Sequence, residues 1–313
     1  MEINVTLILV DFLLMGFPDD QVLQRLWTAL FFLIYMAALT GNLLIITLAT
    51  IDQHLQSPMY FFLKNLSLID ICYISVTVPK SIMNSLTNSH SISFMGCASQ
   101  VFLVIFFAGT EFALLLVMSY DRYGAICHPL HYEAIMHRST CVQMVTASWL
   151  SGCLYGSLHV AGMFSVHFCG PNIVHQFFCD IPSLLTLVCS GEKVLEYVFI
   201  IASCCFTFVC FILMVVSYVY IFSTVLKIPS AEGRLKTFYT CMPHLTAVTL
   251  FLSSGFIAYL GSASKSLSSL NLFMTVLYSL LPPSLNPVIY SLRNRDMKVA
   301  IGNFFGEKMI PKI

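Results

Sequence analysis

The chain has 313 residues, of which 58% are hydrophobic and 10% charged, and its formal net charge is zero. Soluble proteins carry about a quarter charged residues, so this composition excludes an ordinary soluble domain and favours one polytopic membrane unit. A neutral chain also argues against a nucleic-acid partner. The first residues include Glu2 and Asp11 but no basic stretch, so we expect no cleaved signal peptide.

Seven stretches of the chain are long enough to cross a membrane. A hydrocarbon core of ~30 Å needs about 20 apolar residues in a helix. A span near Pro58–Pro79 contains Lys64 and Asp70, and the third span continues past Glu111 to Tyr120. The runs free of Asp, Glu, Lys and Arg are Leu26–Ile51, Ser81–Thr110, Ser139–Cys179, Tyr197–Leu226, Thr237–Ser264 and Ser266–Leu292.

The distribution of basic residues predicts the orientation. Five basic residues follow Leu292, whereas Arg25 is the one basic residue among the first 25. The positive-inside rule then places residues 1–25 outside the cell and residues 293–313 in the cytoplasm, with the helix bundle at 26–292 of one domain, 1–313. Asn4, in the sequence Asn-Val-Thr, is then an extracellular glycosylation acceptor. We expect a plasma-membrane protein in contact with lipid.

Six distinct sequence motifs occur along these spans in order. They are Gly41-Asn42, LQSPMYFFLKNLSLID (Leu55–Asp70), MSYDRYGAICHPLHY (Met118–Tyr132), Ser217-Tyr218, KTFYTCMPHL (Lys236–Leu245) and PPSLNPVIYSLRN (Pro282–Asn294). This set resembles the odorant receptors, a branch of the rhodopsin-like G-protein-coupled receptors, over nearly the whole chain. The resemblance implies an all-α bundle of seven transmembrane helices, followed by a short cytoplasmic amphipathic helix. It also implies a receptor, not an enzyme, that binds volatile odorants and activates a stimulatory G protein to raise cyclic AMP.

Four cysteines fall on the predicted outer side, where disulfides can form. They are Cys97 at the start of span three and Cys169, Cys179 and Cys189 in the loop between spans four and five. The sequence alone allows three pairings. The resemblance implies the bridges Cys97–Cys179 and Cys169–Cys189, which would hold this loop as a lid.

The motif Asp121-Arg122-Tyr123 places charges at the end of a long apolar run, which marks a candidate functional site. The resemblance implies that Asp121 restrains Arg122 until helix six moves outward and a G protein binds. Neighbouring helical side chains do not face each other, so the pairing requires the arginine to fold back. The alternative is an ordinary interfacial charge pair.

Helices five to seven carry the other switch residues. No acid lies between Glu232 and Asp296, so the acid at the base of helix six that braces the arginine in some relatives is missing. Tyr218 and His244 are candidates to replace it. Further along, Pro287 weakens its helix as a hinge beside Asn286 and Tyr290; a passive kink is the alternative.

Asp70 and Glu111 are the two acids deepest in the bundle. Two neighbouring carboxylates in a low dielectric cannot both ionise unless a cation or a proton compensates. The resemblance suggests a sodium ion, bound in the resting state; the alternative is a pair of structural groups. A transporter or channel using these acids as a cation path is the competing function, but the sequence lacks the internal repeat typical of transporters.

A mostly apolar pocket is predicted between the outer ends of helices three, five, six and seven. Amine receptors place an acid at the position of Val104, so a cationic ligand would lack a counter-ion here. Such a pocket suits a small neutral volatile, although some of its residues could instead pack helices or face lipid. The pocket positions implied by the resemblance are Val104, Ile105, Ala108, Gly109, Ser203, Phe206, Gly255, Tyr259 and Ser279.

Overall fold

The protein forms a bundle of long helices. A computed structural model describes residues 11–15, 20–87, 89–169, 171–189, 193–263 and 269–306. Within them, seven long helices are followed by a short eighth one. Their bounds are α1 Gln21–Ile51, α2 Pro58–Thr87, α3 Phe94–Cys127, α4 Arg138–Phe164, α5 Lys193–Leu226, α6 Ala231–Ala263, α7 Ser269–Arg293 and α8 Arg295–Phe304.

Side-chain caps define where several helices begin. Asp20 accepts hydrogen bonds from the backbone N–H groups of Val22 and Leu23, at 2.7 and 3.1 Å. Ser93 accepts one from Gly96 at 3.1 Å. These bonds satisfy N–H groups that have no partner inside the first turn of a helix. The first helix therefore begins at Gln21, five residues before the apolar run predicted from the sequence.

Two other boundaries differ from the predicted spans. α2 continues through Pro79 to Thr87. The apolar run Ser139–Cys179 is helical only as far as Phe164, and the rest of it belongs to the loop between α4 and α5. Hydropathy does not distinguish a buried loop from a helix, because both are apolar. By length and composition, α1, α2, α3 and the segment Tyr197–Leu226 of α5 are able to span a membrane, among the residues described.

Small residues bring neighbouring helices close together. A β-carbon at Gly152 of α4 would lie 2.1 Å from Thr110 Oγ1 and 2.6 Å from the Phe106 carbonyl oxygen of α3, so only glycine fits. A β-carbon at Gly41 of α1 would lie 2.9 Å from Pro287 Cβ of α7. Backbones that approach this closely without polar contacts are typical of helices packed in a membrane.

A small sheet and two disulfides close one end of the bundle, here named the disulfide end. Strand β1 (Asp11–Leu14) lies between β2 (Ser91–Ser93), to which it is antiparallel, and β3 (Ile173–Val174), to which it is parallel. Phe12 of β1 is fully buried against aromatic rings of this end. The first residues described are therefore part of the lid.

The opposite end of α3 carries the charged triplet and is named the Arg122 end. Cys97 and Arg122 are separated by roughly 37 Å along the axis of α3. α3 packs against α2, α4, α5 and α6 and so lies at the centre of the bundle. A change at one end of the molecule can thus reach the other end along elements that contact α3 or α7.

Candidate functional site

Arg122 folds back onto its neighbour at the end of α3. Its Nε donates a hydrogen bond to Asp121 Oδ2 at 2.9 Å, and its Nη2 forms an ion pair with the same oxygen. The other carboxylate oxygen, Oδ1, accepts a hydrogen bond from the Tyr132 hydroxyl at 2.6 Å. Asp121 is 1% exposed and Arg122 12%. The carboxylate is thus held from both sides, and the guanidinium faces the bundle end with donors to spare.

Tyr132 was not singled out from the sequence, although it ends the motif that begins at Met118. It lies in a short helical turn, Tyr132–Ile135, after the chain reverses at Pro129. Burial and the charge of Asp121 raise the pKa of Tyr132, so its hydroxyl stays protonated and donates. In a continuous helix, residues eleven apart lie roughly 16 Å from each other, so only the folded loop shows the contact with Asp121.

His244 joins three helices near the arginine. Its Nε2 lies 2.9 Å from the Leu115 carbonyl oxygen of α3, and its Nδ1 lies 2.6 Å from the Tyr218 hydroxyl of α5. A carbonyl oxygen can only accept, so Nε2 carries the proton and Nδ1 accepts from Tyr218. The imidazole is 3% exposed. The two residues predicted to replace the missing acid are thus in direct contact and fix α6 to α3 and α5.

Arg122, His244 and Tyr290 line one small cavity of about 20 Å³, together with Asp121 and Asn294. Tyr290 is 3% exposed, and its hydroxyl has no hydrogen-bond partner among the residues described. An unpartnered buried hydroxyl is costly, which suits a side chain that changes position.

Tyr123 does not line this cavity. Its hydroxyl lies 3.0 Å from His128 Nε2, and its ring centroid lies 6.0 Å from that of Tyr220.

Asn286 of α7 connects the two deep acids. Its Nδ2 donates to Asp70 Oδ2 at 3.1 Å and to Glu111 Oε1 at 3.3 Å. Asp70 is 1% exposed and Glu111 4%. No basic side chain pairs with either acid in the part of the chain that the structure describes. One amide cannot neutralise two carboxylates, so this group of hard oxygen donors fits a bound cation such as sodium, or a shared proton.

Two of the predicted pocket residues pack against buried clusters that include residues of the loop between α4 and α5. Val104 packs against a buried cluster that includes Phe177 and Phe178 of the loop and Leu280 of α7, and Ile105 packs against the cluster around the Cys97–Cys179 bridge. Ala108 is half-buried on the same helix. Ser279 of α7 is fully buried.

Other predicted pocket residues lie elsewhere. A β-carbon at Gly109 would lie 3.2 Å from the Tyr155 ring, so this residue faces α4. The Ser203 hydroxyl lies 2.8 Å from His159 Nε2, between α5 and α4. Phe206 is 60% exposed on the outer surface of α5. The structure differs from the prediction here because the rotation of each helix about its axis depends on packing, which apolar runs do not encode.

Gly255, another predicted pocket position, lies away from the residues above. Gly255 is exposed, with no atom within 4 Å of where its β-carbon would be. The side chain of Tyr259 and the whole of Asn4 lie outside what the structure describes. Both disulfides implied by the resemblance, Cys97–Cys179 and Cys169–Cys189, are present.

Comparison with known proteins decides the family. A sequence model described as "Olfactory receptor" matches residues 31–308. The chain belongs to the olfactory receptor family. Human olfactory receptor 14A16 is 54% identical over 309 residues, which cover 99% of each chain. Human olfactory receptor 14L1 is also 54% identical, over 93% of this chain and 90% of its own length.

The fold of this olfactory receptor is similar to that of a solved rhodopsin. The crystal structure of squid rhodopsin superposes with a TM-score of 0.66, covering 91% of this chain and 81% of that one at 17% identity. At this identity the likeness shows the fold alone. Together these findings confirm the prediction of a seven-helix, multi-pass membrane receptor of the G-protein-coupled class, rather than an enzyme.

Proposed function

We propose that this olfactory receptor binds small, mostly neutral volatiles near its disulfide end and in response activates a stimulatory G protein, which raises cyclic AMP. The observation that carries the proposal is the arrangement at the Arg122 end. Asp121 holds the Arg122 guanidinium, and two hydrogen bonds of His244 hold the neighbouring helix α6 in place. The restraint on Arg122 and the restraint on α6 are both polar contacts, which a small movement of the helices breaks.

The ligand class follows from the side chains around Val104. This group is apolar, and Val104, Ile105 and Ala108 offer no charge to an ionic ligand. An odorant of ~10 heavy atoms gains about 5–8 kcal/mol at roughly 0.5–0.8 kcal/mol per atom. The corresponding dissociation constants are roughly 0.2 mM to micromolar. Recognition of this strength is broad, because few contacts distinguish one ligand from another.

Activation then shifts a balance between two arrangements of the Arg122 end. In the resting one, His244 binds the Leu115 carbonyl oxygen and the Tyr218 hydroxyl. Outward movement of α6 separates His244 from Leu115 and opens the cavity that Arg122 and Tyr290 line. The freed guanidinium then donates to the carbonyl groups at the C-terminus of a G-protein helix.

The orientation belongs to the same proposal. The basic residues after Leu292 support a cytoplasmic C-terminus and hence an extracellular disulfide end, with Asn4 as a glycosylation site. The loop between α5 and α6 is short, so coupling uses the helix ends. In a plasma membrane, this arrangement exposes the lid to odorants and Arg122 to the G protein.

A sodium ion at Asp70 and Glu111 is proposed to favour the resting arrangement. The fit is supported by two buried carboxylates that share one amide donor. Bound there, the ion would neutralise the charge that the amide of Asn286 leaves uncompensated. Because Asn286 belongs to α7, occupancy of this site would also hold that helix.

The test measures nucleotide exchange on a stimulatory G protein in membranes containing the receptor, against a panel of volatile alcohols, aldehydes, ketones and esters. At least one volatile should stimulate exchange, and Arg122→Ala should abolish the response at equal surface expression. Arg138→Ala, which changes an exposed arginine of the same end, is the matched control and should respond normally. A full response from Arg122→Ala would contradict the proposed coupling.

A further inference from the structure

The loop segment Phe177–Asp180 is inserted between the ends of three helices. The Ser81 hydroxyl of α2 donates to the Phe177 carbonyl oxygen at 2.8 Å. Gln100 Oε1 of α3 accepts from the Cys179 N–H at 2.9 Å, beside the disulfide to Cys97. The segment is therefore fixed to α2 and α3 by one covalent bridge and by hydrogen bonds of its backbone.

The contact of this segment with α7 is of a different kind, because it is a non-covalent contact between two side chains. The Tyr278 hydroxyl donates to Asp180 Oδ2 at 2.5 Å, and the Tyr278 and Phe178 rings meet edge to face with centroids 6.1 Å apart. Asp180 Oδ1 accepts from the Ser183 N–H at 3.1 Å. A bond to a carboxylate is about twice as strong as one between neutral groups.

The turn that Asp180 caps does not require a negative charge. The residue is 5% exposed, and burial raises the pKa of its carboxyl group because the charged form loses its hydration. As the cap of the turn Ile181–Leu185, asparagine would serve as well as aspartate. A buried acid at this position therefore strengthens the bond to α7, and burial of its charge is the cost.

α7 connects this bond to the rest of the switch. Asn286, which holds Asp70 and Glu111, follows Tyr278 by about 12 Å along the helix. Tyr290, one turn further, lines the Arg122 cavity. Phe177 and Phe178 of the same loop segment belong to the buried cluster against which Val104 packs, where the ligand is proposed to bind. A ligand beside the segment can thus break its side-chain contact with α7, the helix that carries the switch, while the backbone of the segment stays fixed to α2 and α3.

We propose that the Asp180–Tyr278 hydrogen bond is a latch that holds α7 in its resting position and transmits ligand binding at the loop to the Arg122 end. The inference rests on the function proposed above. Asp180 and Tyr278 are positioning residues, since they act through the loop and through α7. Breaking the bond removes a restraint on the resting arrangement and shifts the balance towards the active one.

The test compares ligand-free nucleotide exchange per receptor at the cell surface. Tyr278→Phe should raise it about fivefold, and Asp180→Asn, which keeps an acceptor but loses the charge, should raise it less. The double variant should match Tyr278→Phe, since both changes act on the same hydrogen bond. Tyr35→Phe is the matched control, because it deletes a hydroxyl bonded to Ser75 between α1 and α2; it should leave ligand-free exchange unchanged.

Three outcomes separate the latch from the proposed function. If Arg122→Ala abolishes the odorant response but Tyr278→Phe has the ligand-free exchange of wild type, the latch is overturned and the function stands. A purely structural role would lower surface expression and thermal stability, with no gain in ligand-free exchange per receptor, and would also overturn it. Additive effects in the double variant would show that the two residues act separately, contrary to the proposal.

A second measurement does not depend on a G protein. Hydrogen exchange of the full-length receptor in detergent reports local opening of helices. Tyr278→Phe should increase amide exchange in residues 276–290 of α7, with α2 unchanged, and Tyr35→Phe should not affect α7. Equal exchange in α7 of wild type and Tyr278→Phe would overturn the latch even where no volatile activates the receptor.

Discussion

The two ends of the bundle are held together by different chemistry. At the disulfide end, two covalent bridges and a three-stranded sheet fix the loop, with Phe12 buried beneath it. At the Arg122 end, the contacts are side-chain hydrogen bonds and one ion pair, around Asp121 and His244. Covalent and backbone contacts persist through a conformational change, whereas side-chain polar contacts exchange partners. The difference indicates one rigid end and one labile end, which is what the proposed division between ligand binding and signalling requires.

Removal of the bridge to α3 should have the largest effect and should act on folding. Cys97→Ser opens a link between residues 82 apart in sequence and should cost about 2–5 kcal/mol. We expect the variant to be nearly absent from the cell surface by antibody labelling of intact cells. Cys153→Ser, which changes an exposed free cysteine, is the control and should be expressed normally.

The second bridge, Cys169–Cys189, provides a comparison for this prediction. Cys169→Ser opens a link between residues only 20 apart, so its cost should be smaller than that of Cys97→Ser. Equal expression of Cys97→Ser and wild type would contradict the view that the disulfide end is the rigid one.

Loss of the three-helix contact should have the next largest effect, on signalling rather than folding. His244→Phe keeps a flat ring but removes the bonds to Leu115 and Tyr218. Two hydrogen bonds of about 0.5–1.5 kcal/mol each correspond to an increase in ligand-free nucleotide exchange of about tenfold. His54→Phe, at an exposed histidine of the loop between α1 and α2, serves as control. A decrease in exchange would assign His244 to the active arrangement instead.

Tyr132→Phe should have a smaller effect of the same sign. It removes one of the bonds to Asp121, while those from Arg122 remain. We expect ligand-free exchange to rise about threefold, because water replaces part of the lost bond at this partly exposed site. Receptor-normalised exchange in membranes is the measurement, and a change in the odorant response without a change in ligand-free exchange would argue against a restraint on Arg122.

Asp180→Asn should have the smallest effect on stability, visible mainly as a pH dependence. The folded state raises the pKa of Asp180 above its ordinary value of 3.8, so folding favours the protonated carboxyl group. Its contribution to stability is complete below that value and is lost as the pH rises through the raised pKa. Thermal stability in detergent should therefore fall more steeply in wild type than in Asp180→Asn as the pH rises from about 4. Identical slopes would indicate that Asp180 does not titrate in this range.

The sequence predicted the fold and much of the site because both depend on local patterns. Apolar runs indicated the helices, and the ordered motifs indicated the family. His244 and Tyr218 were also named as candidates from the missing acid in α6, and the structure places them in contact. Tyr132 and Tyr278 were missed because their contacts with Asp121 and Asp180 each depend on the path of a loop, which no periodicity in the sequence encodes. Strand β1 was missed for the same reason, since its register depends on two distant segments.

The sequence by itself determined that this chain is a polytopic membrane protein, since twenty-residue apolar runs admit few other solutions, and its ordered motifs resemble those of a receptor family. Only the tertiary structure decided which faces of those helices meet. Lipid and a helix interior are both apolar, so composition cannot orient Phe206 outwards or Val104 inwards. Close packing at glycines such as Gly152 fixes the rotation of each helix, and with it the side chains that share a site.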